Sequence, residues 1–287
     1  MSAPALVAVA HGSRDPRSAA TVAALLELVR GQRPDLDVRL AFLDLCAPRL
    51  GEVLAAVHRR GHERAVVVPL LLGRAHHATV DLPAAVLAAR SRLPRLGVRV
   101  AGVLWPDPRL AALALRRLAA AGVALDDAGL GVVLAAAGSS HRPANAAVEA
   151  VAAGWARRMP WSGAHAGFAA AVPSALSVPS ALSVPPPLSV PPALSVPPPL
   201  SVASGLSVAS AVAALRAAGA RRIAVAPWFL APGLLPDRVA RAARAAHPGA
   251  VVAEPLGADP ELAGVVLDRY AAAGGLHTGS ALAGRTG

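Results

Sequence analysis

Two histidines and an aspartate stand at equal intervals in the first third of the chain. The interval from His11 to Asp44 equals that from Asp44 to His77, and each of the three follows an apolar run of strand length. Imidazole and carboxylate groups can hold a divalent transition-metal ion, and imidazole can accept a proton near neutral pH. Because the carboxyl ends of successive parallel strands meet at one sheet edge, the spacing predicts that these three side chains form one site.

Each of these residues also has a purely structural interpretation. Either histidine alone could be a loop residue held by a hydrogen bond, and Asp44 could cap the helix expected after Pro48. Their joint placement at three equivalent strand ends favours a function. The remaining polar candidates are interpreted as structural, with His76 a neighbour of His77, His58 and His62 surface residues on either side of a helix end, and Ser13 a turn or cap residue.

The elements that must position these residues alternate along the chain. Short apolar runs alternate with stretches of helical period, which is typical of βαβ units around a parallel sheet. In the segment 1–126 we predict strands at 6–10, 38–43, 65–72 and 98–103, and helices at 16–30, 48–61, 79–93 and 108–121. Four strands and four helices make one small doubly wound domain.

The same order of elements restarts after position 126. The strand at 131–136 matches the first strand with an offset of 126, and the strand at 223–227 matches the third with an offset of 158. The sequence therefore predicts an α/β fold of two similar doubly wound domains around a cleft, each with a four-stranded parallel sheet. We predict domains at 1–126 and 127–276 and a tail at 277–287. Ala137 then replaces His11 and Leu235 replaces His77, so the chemistry is expected in the first domain only.

The second offset is larger than the first, and a repeat accounts for nearly all of the difference. The segment 173–208 consists of six hexads that each end in Leu-Ser-Val. The frequent prolines disfavour both a helix and a central strand. We therefore interpret the segment as a low-complexity loop between a strand and a helix, dispensable for the fold.

The charged residues exclude several classes of protein. The chain has 28 basic residues, all of them arginine, and a net charge of +11. Without lysine, it can form neither a P-loop nucleotide site nor a Schiff base. A single cysteine, Cys46, excludes a disulfide framework and a cysteine-built metal cluster. The arginines are dispersed and only 3% of residues are aromatic, which argues against nucleic acid as a partner.

The positive charge is better explained by an acidic small molecule. The first residues lack the basic and apolar regions of a signal peptide, and no apolar stretch suits a membrane helix. We therefore expect a cytoplasmic protein without a membrane partner. The sequence gives no indication of the oligomeric state.

The residues around the histidines resemble those of the sirohydrochlorin chelatases. The resemblance is carried by the run His11 to Arg14, by the acidic residue after the second strand, and by the pattern Pro-x-x-Leu-x-x-x-x-His-x-x-x-Asp-Leu-Pro from Pro69 to Pro83. It covers nearly the whole chain in two copies. The resemblance implies a lyase that inserts Co²⁺ or Fe²⁺ into sirohydrochlorin, for cobalamin or sirohaem, without ATP. The metal is then a substrate, and no tightly bound cofactor is implied.

The resemblance also assigns roles to the candidate residues. It implies that His11 and His77 bind the metal and abstract the protons, and that Asp44 occupies a position that is usually glutamate in the family. Sirohydrochlorin carries eight carboxylates, which arginine binds well. Arg14, Arg17 and Arg74 lie close in sequence to the two histidines and are the candidates for that contact. The alternative is a non-catalytic metal or tetrapyrrole carrier on the same fold, and the intact histidine pair favours the enzyme.

Overall fold

The computed structural model describes residues 3–73, 80–170 and 205–274. Strands and helices alternate throughout these ranges. The strands are β1 (Ala5–Ala10), β2 (Val38–Phe42), β3 (Arg64–Pro69), β4 (Gly97–Val100), β5 (Leu130–Ala136), β6 (Gly163–Phe168), β7 (Arg222–Pro227) and β8 (Val251–Val252). The helices are α1 (Pro16–Gln32), α2 (Leu50–Arg59), α3 (Leu82–Arg92), α4 (Pro108–Ala120), α5 (Arg142–Arg158), α6 (Val208–Ala217), α7 (Leu234–Ala246) and α8 (Pro260–Gly274).

The strands form two parallel sheets of the same topology. The first has the order β2-β1-β3-β4 and the second the order β6-β5-β7-β8. Every residue of the central strands β1 and β5 is buried, because helices cover both faces of each sheet. The predicted fold class, two doubly wound four-stranded sheets, is confirmed.

Several predicted boundaries were wrong by a few residues. The third and fourth strands end at Pro69 and Val100, earlier than predicted. The second helix starts at Leu50 instead of Pro48, because the Pro48 carbonyl accepts a hydrogen bond from Phe42 N–H and so continues the sheet edge. Arg49 is its N-terminal cap residue, with its own N–H held by Glu52, so Asp44 is not a helix cap.

The fourth helix of each half packs on the sheet of the other half. Helix α8 lies against β3 and β4 beside α1, and α4 lies against β7. Tyr270 of α8 is fully buried, and its hydroxyl donates a 2.6 Å hydrogen bond to the carbonyl of Pro4 ahead of β1. This exchange builds one continuous core from the inner faces of both sheets with α1, α4, α5 and α8. The domain boundary at position 126 stays a prediction.

The position of the insertion follows from two matching bridges. Phe42 pairs with Arg49 in the first half, and Phe168 pairs with Ser207 at the same place in the second. The second pair is farther apart in the sequence by as much as the two strand offsets differ, so the whole insertion lies between Phe168 and Ser207. The last hexad, 203–208, ends at the first residue of α6. Its Ser207 caps this helix by accepting a hydrogen bond from Ser210 N–H. The earlier hexads lie outside the described residues.

Among the helices of the described ranges, none is long and apolar enough to cross a membrane.

Candidate functional site

His11 lies at the carboxyl edge of the first sheet, where the connections after two neighbouring strands leave towards opposite faces of the sheet. The connection after β1 enters α1 on the inner face of the sheet, whereas the connection after β3 leads to α3 on the outer face. Because β1 and β3 are neighbours, a crevice opens between the two connections at the carboxyl edge of the sheet. Ligands of open α/β sheets bind in such crevices, and His11 is the first residue after β1. The side chain is partly buried, with its Nδ1 atom out of contact with solvent.

The loop after β2 brings Asp44 beside His11. The N–H of Asp44 donates a 2.8 Å hydrogen bond to the carbonyl of His11, which continues the pairing of β1 with β2 past their ends. The Asp44 side chain is exposed and forms a 2.8 Å ion pair with Arg49. This hydrogen bond from Arg49 lowers the pKa of Asp44, and the Leu45 N–H and the nearby imidazole of His11 act in the same direction. The site therefore presents an ionised carboxylate next to an imidazole.

Gly12 permits the close approach of these two loops. Its φ is +99°, and a Cβ atom at this position would lie 1.8 Å from the Asp44 carbonyl oxygen. Any other residue would force the two loops apart. The glycine after the histidine was visible in the sequence, but its purpose depends on this contact between strand ends.

The thiol of Cys46 holds the backbone of Ser13, the residue after Gly12 in the loop that follows β1. This thiol accepts a hydrogen bond from Ser13 N–H at 3.4 Å and donates one to the Ser13 carbonyl at 3.1 Å. Ser13 itself accepts from Asp15 N–H through its hydroxyl, which confirms the interpretation of Ser13 as a turn residue. Sequence reasoning treated Cys46 only as an exclusion, because nothing in its local sequence connects it to Ser13.

Leu45, between Asp44 and Cys46, adopts a strained conformation. Its φ is +61°, and Cys46 N–H closes a short turn on the Asp44 carbonyl at 2.7 Å. A non-glycine residue in this region costs about 1–3 kcal/mol and persists where surrounding contacts enforce it. The side chain of Leu45 is 44% exposed. The contacts of Asp44 and Cys46 thus hold an exposed apolar side chain beside the loop that follows β1.

The second half of the chain faces this loop. A Cβ atom placed on Gly233, at the start of α7, would lie 3.7 Å from the hydroxyl of Ser13 and 3.8 Å from the Cβ of Asp15. The predicted substrate residue Arg17 bridges the two halves here, with ion pairs of 2.6 Å to both Asp15 and Asp237. The predicted residue Arg14 is exposed in the loop between β1 and α1.

The remaining predicted residues, His77 and Arg74, lie outside the described residues, as does His76. The structure therefore brings together two of the three predicted ligands, His11 and Asp44. Within the described ranges, no group of three or more histidine, cysteine or acidic side chains could hold a metal ion.

The interpretation of His62 as a surface residue was wrong. Its side chain is only 19% exposed, and its Nε2 atom lies 3.1 Å from Asp37. It neighbours His58, whose Nδ1 lies 3.4 Å from the His62 carbonyl. The interaction with Asp37 at the start of β2 joins the end of α2 to the sheet, which is a structural contact away from the crevice.

The corresponding loop of the second half keeps the backbone arrangement without the chemistry. Ala137 accepts a hydrogen bond from Ala170 N–H at 3.0 Å, as His11 does from Asp44. Gly138 has a φ of +82°, and the N–H and carbonyl of Ser139 are held by the side chain of Asn145 instead of a thiol. Alanine therefore occupies the places of both His11 and Asp44.

The predicted match of Leu235 with His77 was wrong. The connection between β3 and α3 runs from 70 to 81, whereas the connection between β7 and α7 runs only from 228 to 233. Leu235 lies in the first turn of α7, so the offset that matches the strands does not extend across the shorter loop. Six fewer residues separate β7 from α7 than separate β3 from α3, so the strand offset assigns no residue of the second half to His77.

Comparisons with known proteins agree with this architecture. The CbiX family model matches residues 5–121 and 200–273, which together exceed half of the chain. The chain belongs to the CbiX family. The two matched segments include the loops that carry His11 and Asp44 and the α7 region that faces them.

Curated relatives of this CbiX-family chain are named as chelatases. The sirohydrochlorin cobaltochelatase of Methanopyrus kandleri is 34% identical over 79 residues, 28% of this chain and 55% of that protein. The sirohydrochlorin ferrochelatase of Bacillus subtilis is 30% identical over 136 residues, 47% of this chain and 51% of that protein. The aligned regions thus span about half the length of each relative.

Solved structures share the fold along nearly the whole chain. The sirohydrochlorin chelatase SirB from Bacillus subtilis subspecies spizizenii, in complex with cobalt, matches with a TM-score of 0.69 at 21% identity, covering 97% of this chain and 98% of that one. A structure described as CbiX, the terminal enzyme for biosynthesis of siroheme in denitrifying bacteria, matches with a TM-score of 0.59 at 21% identity, covering 94% and 99%. At this identity the likeness establishes the fold alone.

Proposed function

We propose that this CbiX-family chain inserts a divalent metal ion, Co²⁺ or Fe²⁺, into sirohydrochlorin without ATP. The observation that carries the proposal is the pairing of His11 with an ionised Asp44 at the crevice between β1 and β3. The names of the relatives support the substrate, and the absence of lysine from the chain supports a reaction without a P-loop nucleotide.

The chemistry of metal insertion matches the side chains at this edge. Two pyrrole protons must leave the macrocycle while a hydrated cation loses water and reaches the ring nitrogens. A neutral imidazole is both a ligand for such a cation and a base with an ordinary pKa of about 6.5. In this proposal His11 accepts a proton and contacts the metal, and the ionised Asp44 attracts the cation to the crevice. His77 is the proposed second histidine.

The second half supplies a wall of the site in this proposal. The side chains of Ala137 and Ala170 can neither bind a metal nor accept a proton, so the proposal places the chemistry in the first half. The exposed Arg14 is proposed to bind a substrate carboxylate. The net charge of +11 draws the acidic macrocycle towards the protein.

The test is the absorbance change of sirohydrochlorin on metallation, followed anaerobically with Co²⁺ and with Fe²⁺. The chain is expected to accelerate insertion, and His11→Ala to reduce the enzymatic rate by about 10²–10⁴-fold, the usual contribution of a general base. His141→Ala is the matched control, because His141 follows the equivalent loop of the second half and is exposed. This variant is expected to keep the parental rate.

Two outcomes would contradict the proposal. An unchanged spontaneous rate at saturating protein, with both metals, would exclude the activity. Tight binding of sirohydrochlorin or metal without acceleration would instead indicate the carrier function.

A further inference from the structure

Arg17 joins the candidate site to the opposite half of the molecule. Its Nε and Nη2 atoms hold the carboxylate of Asp15 at 3.1 and 2.6 Å, and Nη2 also donates to Asp237 of α7 at 2.6 Å. Arg17 and Asp237 are far apart in the sequence, one in each half. The ion pair lies at the edge of the site, since Gly233, one turn before Asp237, approaches the hydroxyl of Ser13.

The two carboxylates on Arg17 are held differently. The side chain of Asp15 is only 10% exposed and also caps α1 by accepting from Arg17 N–H at 3.0 Å. The side chain of Asp237 is 46% exposed, and its Oδ2 accepts from Arg17. Exposed ion pairs contribute little to stability, so another carboxylate can replace one at a small cost. Asp237 is therefore the partner that can leave Arg17 while Asp15 keeps the guanidinium in place.

We propose that Asp237 is an internal competitor for a substrate carboxylate at Arg17. The anionic substrate displaces Asp237, and Arg17, still oriented by Asp15, then binds a substrate carboxylate in its place. Arg17 and Asp237 thus set the affinity for acidic ligands and their access to the crevice. This inference rests on the proposed function for the identity of the substrate, and on the geometry alone for the class of ligand, a carboxylate.

The chain contains a matched control for this ion pair. Asp107-Pro108-Arg109 repeats the sequence Asp15-Pro16-Arg17 at the start of α4. Arg109 pairs with the capping Asp107 at 2.8 Å and with Asp268 of the other half at 2.6 Å, and Asp268 is 56% exposed. This second ion pair joins α4 to α8, and the loop of His11 is not among its partners.

The experiment compares Asp237→Asn with Asp268→Asn. Binding is measured without metal or turnover, by the fluorescence change of uroporphyrin, a metal-free porphyrin with eight carboxylates. Asp237→Asn is expected to bind several-fold more tightly than the parent, because Arg17 loses its competitor, whereas Asp268→Asn is expected to bind as the parent does. In an Arg17→Ala background, Asp237→Asn is expected to have no effect on the affinity.

The same variants are then assayed for metallation of sirohydrochlorin. Asp237→Asn is expected to lower KM several-fold with kcat little changed. An affinity for uroporphyrin that is equal in both aspartate variants, or a gain that persists without Arg17, would overturn the inference. If no variant catalyses metallation but the uroporphyrin affinities follow the expected pattern, the proposed activity fails and the competition at Arg17 stands.

Discussion

A glycine and a cysteine hold the loop of His11 in place. Gly12 lets the loops after β1 and β2 touch, and Cys46 satisfies both backbone groups of Ser13. A buried donor or acceptor left without a partner costs about 1–3 kcal/mol, so these contacts matter for the position of the imidazole. The second half meets the same requirement at Ser139 with Asn145, which shows that the backbone arrangement persists where the chemistry is absent.

Replacing Gly12 by alanine is expected to destabilise the protein far more than replacing Gly61. Both glycines have a positive φ, but a Cβ atom at Gly61 meets nothing within 4 Å. Gly61→Ala therefore has only the backbone cost of about 1–2 kcal/mol. Gly12→Ala adds a collision with the Asp44 carbonyl, and we expect a loss above about 3 kcal/mol. Urea denaturation measures both values, and similar losses would contradict the close packing of the two loops.

The two halves differ most in the lengths of two connections. The connection after β3 runs from 70 to 81 and contains His77, whereas its counterpart after β7 runs only from 228 to 233. The connection after β6 is longer than its counterpart after β2 by the whole insertion. The strands and helices around these connections keep the same order and pairing in both halves. The fold thus tolerates both changes, and the first of them bears on the candidate chemistry because that connection contains His77.

Deleting 173–202 is expected to leave the fold and the proposed activity intact. The deletion retains the last hexad, including Gly205 and the capping Ser207. Shortening a surface connection changes the closure entropy by only about 0.6 kcal/mol per twofold change in length. We expect a melting temperature within about 3 °C of the parent.

A second deletion of the same length, 179–208, is the control. It leaves proline in place of Ala203 and alanine in place of Gly205. Gly205 has a φ of +119°, and a Cβ atom there would lie 2.5 Å from the ring of Phe168. The control is therefore expected to melt several degrees lower. Loss of folding in the first deletion would show that the hexads contribute to the structure.

The molecule folds around a core that both halves share. The inner helices of the two sheets form one apolar cluster, and α4 and α8 cross between the halves. Arg269 of α8 donates to the carbonyls of Val103, Leu104 and Pro106 in the loop after β4. These contacts fix the two halves relative to each other.

Acid is expected to weaken this arrangement through Asp107. The hydrogen bond from Arg109 lowers the pKa of Asp107 below its ordinary value of 3.8, with Arg269 acting in the same direction. A carboxylate with a lowered folded-state pKa stabilises the fold above its unfolded-state pKa, and this contribution disappears as the pH falls through the folded-state value. We expect the melting temperature to fall between about pH 5 and pH 3.

In Asp107→Asn this acid dependence is expected to be weaker and the melting temperature at neutral pH lower. Asp35→Asn is the control, because its pair with Arg33 leaves Asp35 58% exposed and screened by solvent. If both variants lose stability on acidification as steeply as the parent, Asp107 does not carry the effect.

The alternation of strands and helices, the duplication and the position of His11 were predictable from the sequence. Each depends on a pattern within a short window, such as the apolar run 6–10 or the proline at the start of α1. Such patterns report local preferences of the chain and the burial of one face of an element. Errors arose at Leu235 and Leu50, where the length or path of a connection matters and no local pattern records it.

Only the tertiary structure decided which distant residues meet at the crevice and in the shared core. The contacts of Cys46 with Ser13, of Arg17 with Asp237 and of Tyr270 with Pro4 join residues that are far apart in the sequence. They follow from the order β2-β1-β3-β4 and from the exchange of α4 and α8. A single sequence carries the residue types at both ends of such a contact but not their distance, because that distance is set by the packing of all the elements between them.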